Sequence, residues 1–287
     1  MLTKNSSLRT VFSGVDFSKY SSKTSEFVNE FSSRANKEGK FLNWVNLPQE
    51  QLKRLDDIYS LAAKLKAQTG VNKLSVMGIG GSKHTVEHML GINGLNINSD
   101  SIFFYSDVDS ISLARFLHKL GNDVLSSNYL IASKSGSTFE TKDGFLRIQK
   151  MLEDAYMAKG QSEEEAKKST AKHFIAVTDK NAEKSELRRT SNENGWLGDL
   201  FIHDDVGGRF SAFDDHALFT LAFAGMKKED MASMLRSAQE ISSQSLSADL
   251  EINDALKEGI FWADAKLNGI AASVHQYMGS MFENTVY

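Results

Sequence analysis

Between Leu74 and Ile202, short unbroken apolar runs alternate with longer stretches of helical periodicity. The runs are Leu74–Ile79, Ser101–Tyr105, Tyr129–Ser133, His173–Thr178 and Leu200–Ile202. The intervening helical patterns carry Val86, Met89 and Leu90, then Ile111, Leu113, Phe116 and Leu117, then Phe145, Ile148 and Leu152, and a last one around Leu187. Strands that are apolar on both sides must be covered on both faces, which predicts a parallel sheet between two helical layers with right-handed crossovers. The expected fold class is therefore α/β, a doubly wound five-stranded parallel sheet over about 50–210.

Around this unit the pattern is helical. Residues 1–20 read as a polar arm, and a helix over Ser22–Lys37 places Phe27, Phe31 and Ala35 on one stripe. A second helix starts at Pro48, a favoured first-turn residue, carries Leu52, Leu55, Ile58, Leu61, Ala62 and Leu65, and ends at Gly70. After Arg209 the periodicity predicts helices over Phe210–Ala224, Lys228–Ile241 and Ile252–Met281, with Leu218, Leu221 and Phe223 as one apolar face. The run Ser162–Lys168 reads as a solvated helix face. The expected organisation is an arm and helix over 1–49, the α/β domain over 50–210, and a helical region over 211–287.

Composition narrows the partners. A net charge of -4 gives no general attraction to nucleic acid or to an anionic membrane. The absence of cysteine rules out disulfides, thiol catalysis and cysteine-held metal, and suits a reducing cytoplasm. The first residues lack the apolar core of a signal peptide, and no uncharged run reaches membrane-spanning length.

Three loops follow the predicted strands with unusual composition. The first, Gly78-Ile79-Gly80-Gly81-Ser82-Lys83, has lysine at position 83, where both the dinucleotide fingerprint and the P-loop need glycine. It fits a sugar hydroxyl or a phosphate, with a tight strand-to-helix turn as the alternative. The second, Ser133-Lys134-Ser135-Gly136-Ser137-Thr138, opens a helix. Free amides and the positive end of the helix dipole meet hydroxyl donors and a lysine there, which suits a phosphate. The same residues fit a heavily provided N-cap. The third, Val206-Gly207-Gly208-Arg209-Phe210-Ser211, puts a permanent planar cation at a strand mouth, to hold an anion or to pair with Asp204, Asp205 or Asp214. His84 and His88, four apart, have a metal-binding spacing but no evident third ligand, so no metal is expected. His216, His275 and Trp196 read as structural.

Taken together, these loops carry a resemblance. V-G-G-R-F-S at Val206–Ser211 resembles the first signature of the glucose-6-phosphate isomerases. G-I-G-G-S at Gly78–Ser82 and S-K-S-G-S-T-F-E-T at Ser133–Thr141 are similar to the two sugar-phosphate loops of that family's first sugar isomerase (SIS) domain, in the same order and spacing. The likeness runs from about Val71 to Ala224. It implies a flavodoxin-like SIS domain in which Ser133, Ser135 and Thr138 hold the substrate phosphate and Lys134 lends its backbone. Gly80, Gly81 and Ser82 then line the sugar, while Gly208 and Arg209 face its reacting end. It also implies aldose–ketose isomerisation through a cis-enediol(ate), no cofactor, and a homodimer. The family's base is a glutamate in a Q-x-x-x-E-S-like segment, and this chain has none: Glu283 is followed by Asn284. The expectation is a chain truncated within an incomplete second SIS domain, before a base beyond Tyr287. A non-catalytic sugar-phosphate sensor and another SIS-type isomerase are the alternatives.

Overall fold

The computed structural model describes residues 13–270, apart from 36, 38, 94–96 and 199. The first long helix, α1 (Thr24–Ala35), buries Thr24, Val28 and Ala35. The expected Phe27–Phe31 stripe is not its core face. Phe27 is 56% exposed, and with Phe31 and Trp44 it lines an apolar groove against residues 255–263. The single helix expected from Pro48 to Gly70 is two, α2 (Leu47–Leu52) and α3 (Leu55–Thr69). The break falls beside Arg54, whose guanidinium lies 3.6 Å over the Phe201 ring and 2.8 Å from the Asp215 carboxylate. A charged side chain drawn inward bends the path that apolar periodicity alone would keep straight.

The alternation then unfolds as expected: β1 (Leu74–Met77), α4 (Gly81–Asn93), β2 (Ile102–Tyr105), α5 (Ser110–Lys119), β3 (Asn128–Ala132), α6 (Phe139–Ala158), α7 (Glu163–Ala171), β4 (Phe174–Thr178), α8 (Glu186–Asn194) and β5 (Leu200–Phe201). The strands pair in parallel in the order β2-β1-β3-β4-β5. Successive residues of β3 face opposite layers. Leu130 and Ala132 join Val76, Val177 and α3 in one core, while Tyr129 and Ile131 join Met77, Phe145 and Phe174 in the other. Trp196 closes the second core by stacking on Phe174 at 4.7 Å. On the edge strand the cover is thinner. Of the apolar residues expected to face inward on α5 only Phe116 is buried, and Ile111 is 65% exposed. The solvated face expected at Ser162–Lys168 is α7, which starts in a capping box between Ser162 and Glu165.

Beyond β5 the chain makes one 3-10 turn at Gly208–Phe210, and helix resumes only at α9 (Asp215–Phe223), which Asp214 caps. All nine α9 residues are buried, so Leu218, Leu221 and Phe223 are not a single apolar face. An apolar helix with no wet side must sit inside a core, and α9 shares one with α3, α4 and the sheet. The last described helices are α10 (Lys228–Ser245) and α11 (Asp254–Leu267). The remainder of the expected Ile252–Met281 helix, with His275 and Glu283, lies outside the described residues. No helix among the described residues is long and apolar enough to cross a membrane.

Candidate sugar-phosphate site at the switch point of the sheet

From β1 the chain steps outward to β2, then returns past β1 to β3. The switch point is therefore between β1 and β3, and ligands of open α/β sheets bind beyond the carboxyl ends of the strands at that place. The first and second loops leave these two strands.

The second loop is shaped by its own hydroxyls. Ser133, 5% exposed, donates to Thr138 Oγ1 at 3.1 Å and accepts from the Gly136 amide at 3.2 Å. Ser135 and Ser137 share a hydrogen bond of 2.7 Å. Gly136 has φ of 73°, and a β-carbon there would stand 2.3 Å from the Leu187 amide nitrogen, so glycine alone lets the loop close onto α8. The Ser135 carbonyl accepts from Glu186 N, and the Lys134 carbonyl from Asp179 N and Thr178 Oγ1. Thr138 is the N-cap of α6, yet its side chain caps no helix amide. Among the described residues, the amides of Thr138, Phe139, Glu140 and Thr141 meet no acceptor. The N-cap reading of these hydroxyls thus does not describe what they do. They hold one another, and the dipole end of α6 stays open.

The third loop touches the first, and the residues leading into it touch the second. A β-carbon on Gly81 would lie 2.0 Å from the Gly208 carbonyl oxygen, so the first and third loops touch backbone to backbone. The Lys134 ammonium donates to the Asp204 carbonyl and sits 3.6 Å from the Asp204 carboxylate, joining the second loop to the approach of the third. From outside, the third loop is braced by residues 39–46. Gly39 N donates to Asp205 Oδ1 at 2.7 Å, Leu42 bridges Val206, and Trp44 stacks on Phe210 at 5.3 Å. Asp204 is thus engaged with Lys134, Asp205 with Gly39, and Asp214 with His203. Arg209 is exposed and pairs with none of the three.

Beneath the loops lies a buried polar layer at the start of α9. His203 Nδ1 is 2.7 Å from Asp214 Oδ1, and Asp215 accepts from Gln51 Nε2 and Phe201 N, each at 2.8 Å, besides pairing with Arg54. Burial opposes the charge on His203, but the Asp214 hydrogen bond, with Asp214, Asp215 and Glu50 nearby, raises its pKa above the ordinary 6.5. His173 and His216 go the other way, pushed down chiefly by burial. His88 is likewise pushed down by burial, whereas burial pushes Asp215 up and so works against the loss of stability on the acid side. The histidines set the rest of the pH profile. Below 6.5 the unfolded chain binds protons at positions 173 and 216 that the folded chain refuses, so stability falls on acidification. Above 6.5 the folded chain keeps a proton on His203 that the unfolded chain has lost, so stability falls as pH rises through the folded value. Each proton contributes a slope of about 1.4 kcal/mol per pH unit. Urea midpoints should therefore peak near pH 6.5, and His173→Gln should flatten the acid side. A profile rising steadily from pH 5 to 8 excludes this assignment.

All the residues expected at the site lie on these loops: Gly80, Gly81 and Ser82 on the first, Ser133, Lys134, Ser135 and Thr138 on the second, Gly208 and Arg209 on the third. The residues that tie the loops together were not foreseen. The sequence suggests Asp204 only as a partner for Arg209 and not for Lys134, and Trp44 carries no local signal, since each acts through a partner distant in sequence.

Such a sheet, with glycine- and serine-rich loops gathered at its switch point, places the chain among doubly wound α/β domains whose ligand crevice opens at the carboxyl ends of the strands. The phosphoglucose isomerase family model matches residues 39–277. The chain belongs to the phosphoglucose isomerase family. It is 29% identical over 240 residues to a glucose-6-phosphate isomerase of Mycoplasmopsis pulmonis, covering 82% of this chain and 52% of that protein. It is 30% identical over 231 residues to a glucose-6-phosphate isomerase of Clostridioides difficile, covering 77% of this chain and 47% of the relative. The chain thus spans about half the length of these curated relatives. Its fold is similar to that of a glucose-6-phosphate isomerase from Chlamydia trachomatis, with a TM-score of 0.64, 23% identity, and coverage of 87% of this chain and 49% of the other.

Proposed function

We propose that this chain forms the phosphate-binding and charge-stabilising part of a glucose-6-phosphate isomerase. Glucose 6-phosphate and fructose 6-phosphate are interconverted by moving one proton between neighbouring carbons. The proton beside the carbonyl leaves, a cis-enediol(ate) forms, and a proton returns to the adjacent carbon. In this reading Ser133, Ser135, Thr138 and the Lys134 backbone bind the 6-phosphate. Gly80, Gly81 and Ser82 line the sugar, and Gly208 with Arg209 faces the carbon pair where negative charge develops. A guanidinium aimed there favours the transition state by about 3 kcal/mol, on the scale of a single oxyanion donor. The phosphate, remote from the reacting carbons, orients the sugar. No organic cofactor or metal has a part in this scheme, and the general base is not assigned to any residue of this chain. The role extends to glycolysis and gluconeogenesis in the cytoplasm, with the enzyme as a homodimer.

One observation carries the proposal: the open amides of α6 adjoin the second loop, which Lys134 ties to Asp204, while Arg209, with no ion pair among the described residues, lies on the third loop, which continues from Asp204 and touches Gly81 of the first. Titration of the chain with fructose 6-phosphate tests it. Ser135→Ala combined with Thr138→Ala should weaken binding at least about tenfold, the worth of one or two charge-assisted hydrogen bonds. Equal affinity of the double variant and the unaltered chain removes the phosphate from this loop.

A further inference from the structure

His216 is the second residue of α9 and fully buried, and neither phosphate binding nor charge stabilisation uses it. Its Nε2 lies 3.1 Å from Thr85 Oγ1 and 3.5 Å from Ser211 Oγ. Each hydroxyl has a single hydrogen, and each points that hydrogen at a backbone carbonyl. Thr85 donates to the Gly81 oxygen at 2.5 Å, and Ser211 to the Gly208 oxygen at 2.7 Å. With both hydrogens committed, the hydroxyl oxygens can only accept from the imidazole, so Nε2 must carry the ring hydrogen. Nδ1 then holds a lone pair. It is buried and has no hydrogen-bond partner among the described residues, and an unpaired N–H at that place would be costlier than an unpaired acceptor. Burial pushes His216 towards the neutral form, against the pull of Asp214 and the Gly81 backbone.

The two carbonyls reached in this way belong to the residues whose backbones meet, Gly81 and Gly208. One imidazole on the most deeply buried helix therefore grips both sides of the seam between the first and third loops.

We propose that His216, as the neutral Nε2–H tautomer, is a positioning residue that locks the first loop to the third and so fixes where Arg209 stands relative to Gly80, Gly81 and Ser82. Its consequence for ligand binding rests on the sugar-phosphate reading above, whereas the lock itself does not.

The substitutions that separate this from simple packing are His216→Gln, which keeps an amide nitrogen near the place of Nε2, and His216→Asn, which puts one near Nδ1 and leaves the Nε2 place empty. Long-range proton–nitrogen correlation spectra of the unaltered chain should show Nε2 protonated and Nδ1 bare. Hydrogen exchange at the amides of residues 207–211 should quicken about tenfold in His216→Asn and stay within about twofold in His216→Gln, matching the loss of one hydrogen-bond donor. Affinity for fructose 6-phosphate should follow the same order, while affinity for inorganic phosphate, which needs only the second loop, stays level in both. An Nδ1–H tautomer overturns the proposal even if neither variant folds, and so does equal exchange in the two variants. If the tautomer and the exchange pattern hold but no sugar phosphate binds even the unaltered chain, the lock stands and the isomerase reading fails.

Discussion

Gly81→Ala should reduce affinity for fructose 6-phosphate by about a hundredfold or more while leaving the helical circular dichroism signal intact. The added methyl would stand 2.0 Å from the Gly208 carbonyl oxygen and 2.3 Å from its carbon, against about 3.5–4.0 Å for a comfortable carbon contact. Neither partner is a side chain that can rotate away. One of the two backbones must move by more than an ångström. Helix α4 is held by Thr85, Val86 and Met89 in the core, so the third loop, on the outer side, is the part that yields. Arg209 goes with it, and under the proposed reading a misplacement of that size is enough to spoil the seat of the sugar. Loss of the fold does not explain the effect, because alanine favours a helical position over glycine by about 1 kcal/mol. Calorimetric titration reads the result, with inorganic phosphate as the control for the second loop. Affinity within threefold of the unaltered chain means that the seam has no part in binding.

Asp215→Ala should cost about 3–5 kcal/mol of unfolding free energy, the usual penalty for breaking a buried ion pair on one side only. The Asp215 side chain is wholly buried and that of Arg54 is 18% exposed. Removing the carboxylate takes from the guanidinium over the Phe201 ring its buried counter-charge and leaves Gln51 Nε2 and the Phe201 amide without this acceptor. The companion experiment is the pair of substitutions Arg54→Met and Asp215→Leu, which removes both charges and fills their space. It should recover most of the loss, because well-packed apolar residues commonly replace a buried pair at little net cost. Urea unfolding of the two single variants and the double gives the coupling directly. A double variant as unstable as the sum of the singles would show that Asp215 acts through some other contact.

Much of this molecule was legible from residue order because its strands are unbroken apolar runs and its loops are not. All five strands form within two residues of their expected ends, and the three loops singled out by glycine, serine and arginine meet at one edge. What escaped notice depends on partners far along the chain. The apolar spacing from Pro48 to Gly70 gives no hint of a break, since that depends on Asp215, more than 150 residues later. Lys134 reads as a cation for an incoming anion, and nothing near it in the chain shows that its ammonium rests on Asp204. α9 looks like an amphipathic helix when only Leu218, Leu221 and Phe223 are counted. Its other side is apolar enough to be buried too, and the two acids at its start, Asp214 and Asp215, are satisfied from within. Phe27 and Phe31 mislead for the opposite reason: they are apolar and correctly spaced, but they line a groove instead of the core.

The tether between Lys134 and Asp204 has a bearing on selectivity. For any anion that settles on the Ser133–Thr138 loop, the loop's own ammonium, that of Lys134, is already occupied by a carboxylate and a carbonyl. Chloride or acetate offers the ammonium no more than it has, so its release brings such ions little advantage. A phosphate monoester, with nearly twice the charge and three oxygens, can outbid Asp204 or share the lysine with it. In the sugar-phosphate reading proposed above, competition inside the protein would act as a threshold, turning away the singly charged solutes that crowd a cell and admitting the rarer dianion.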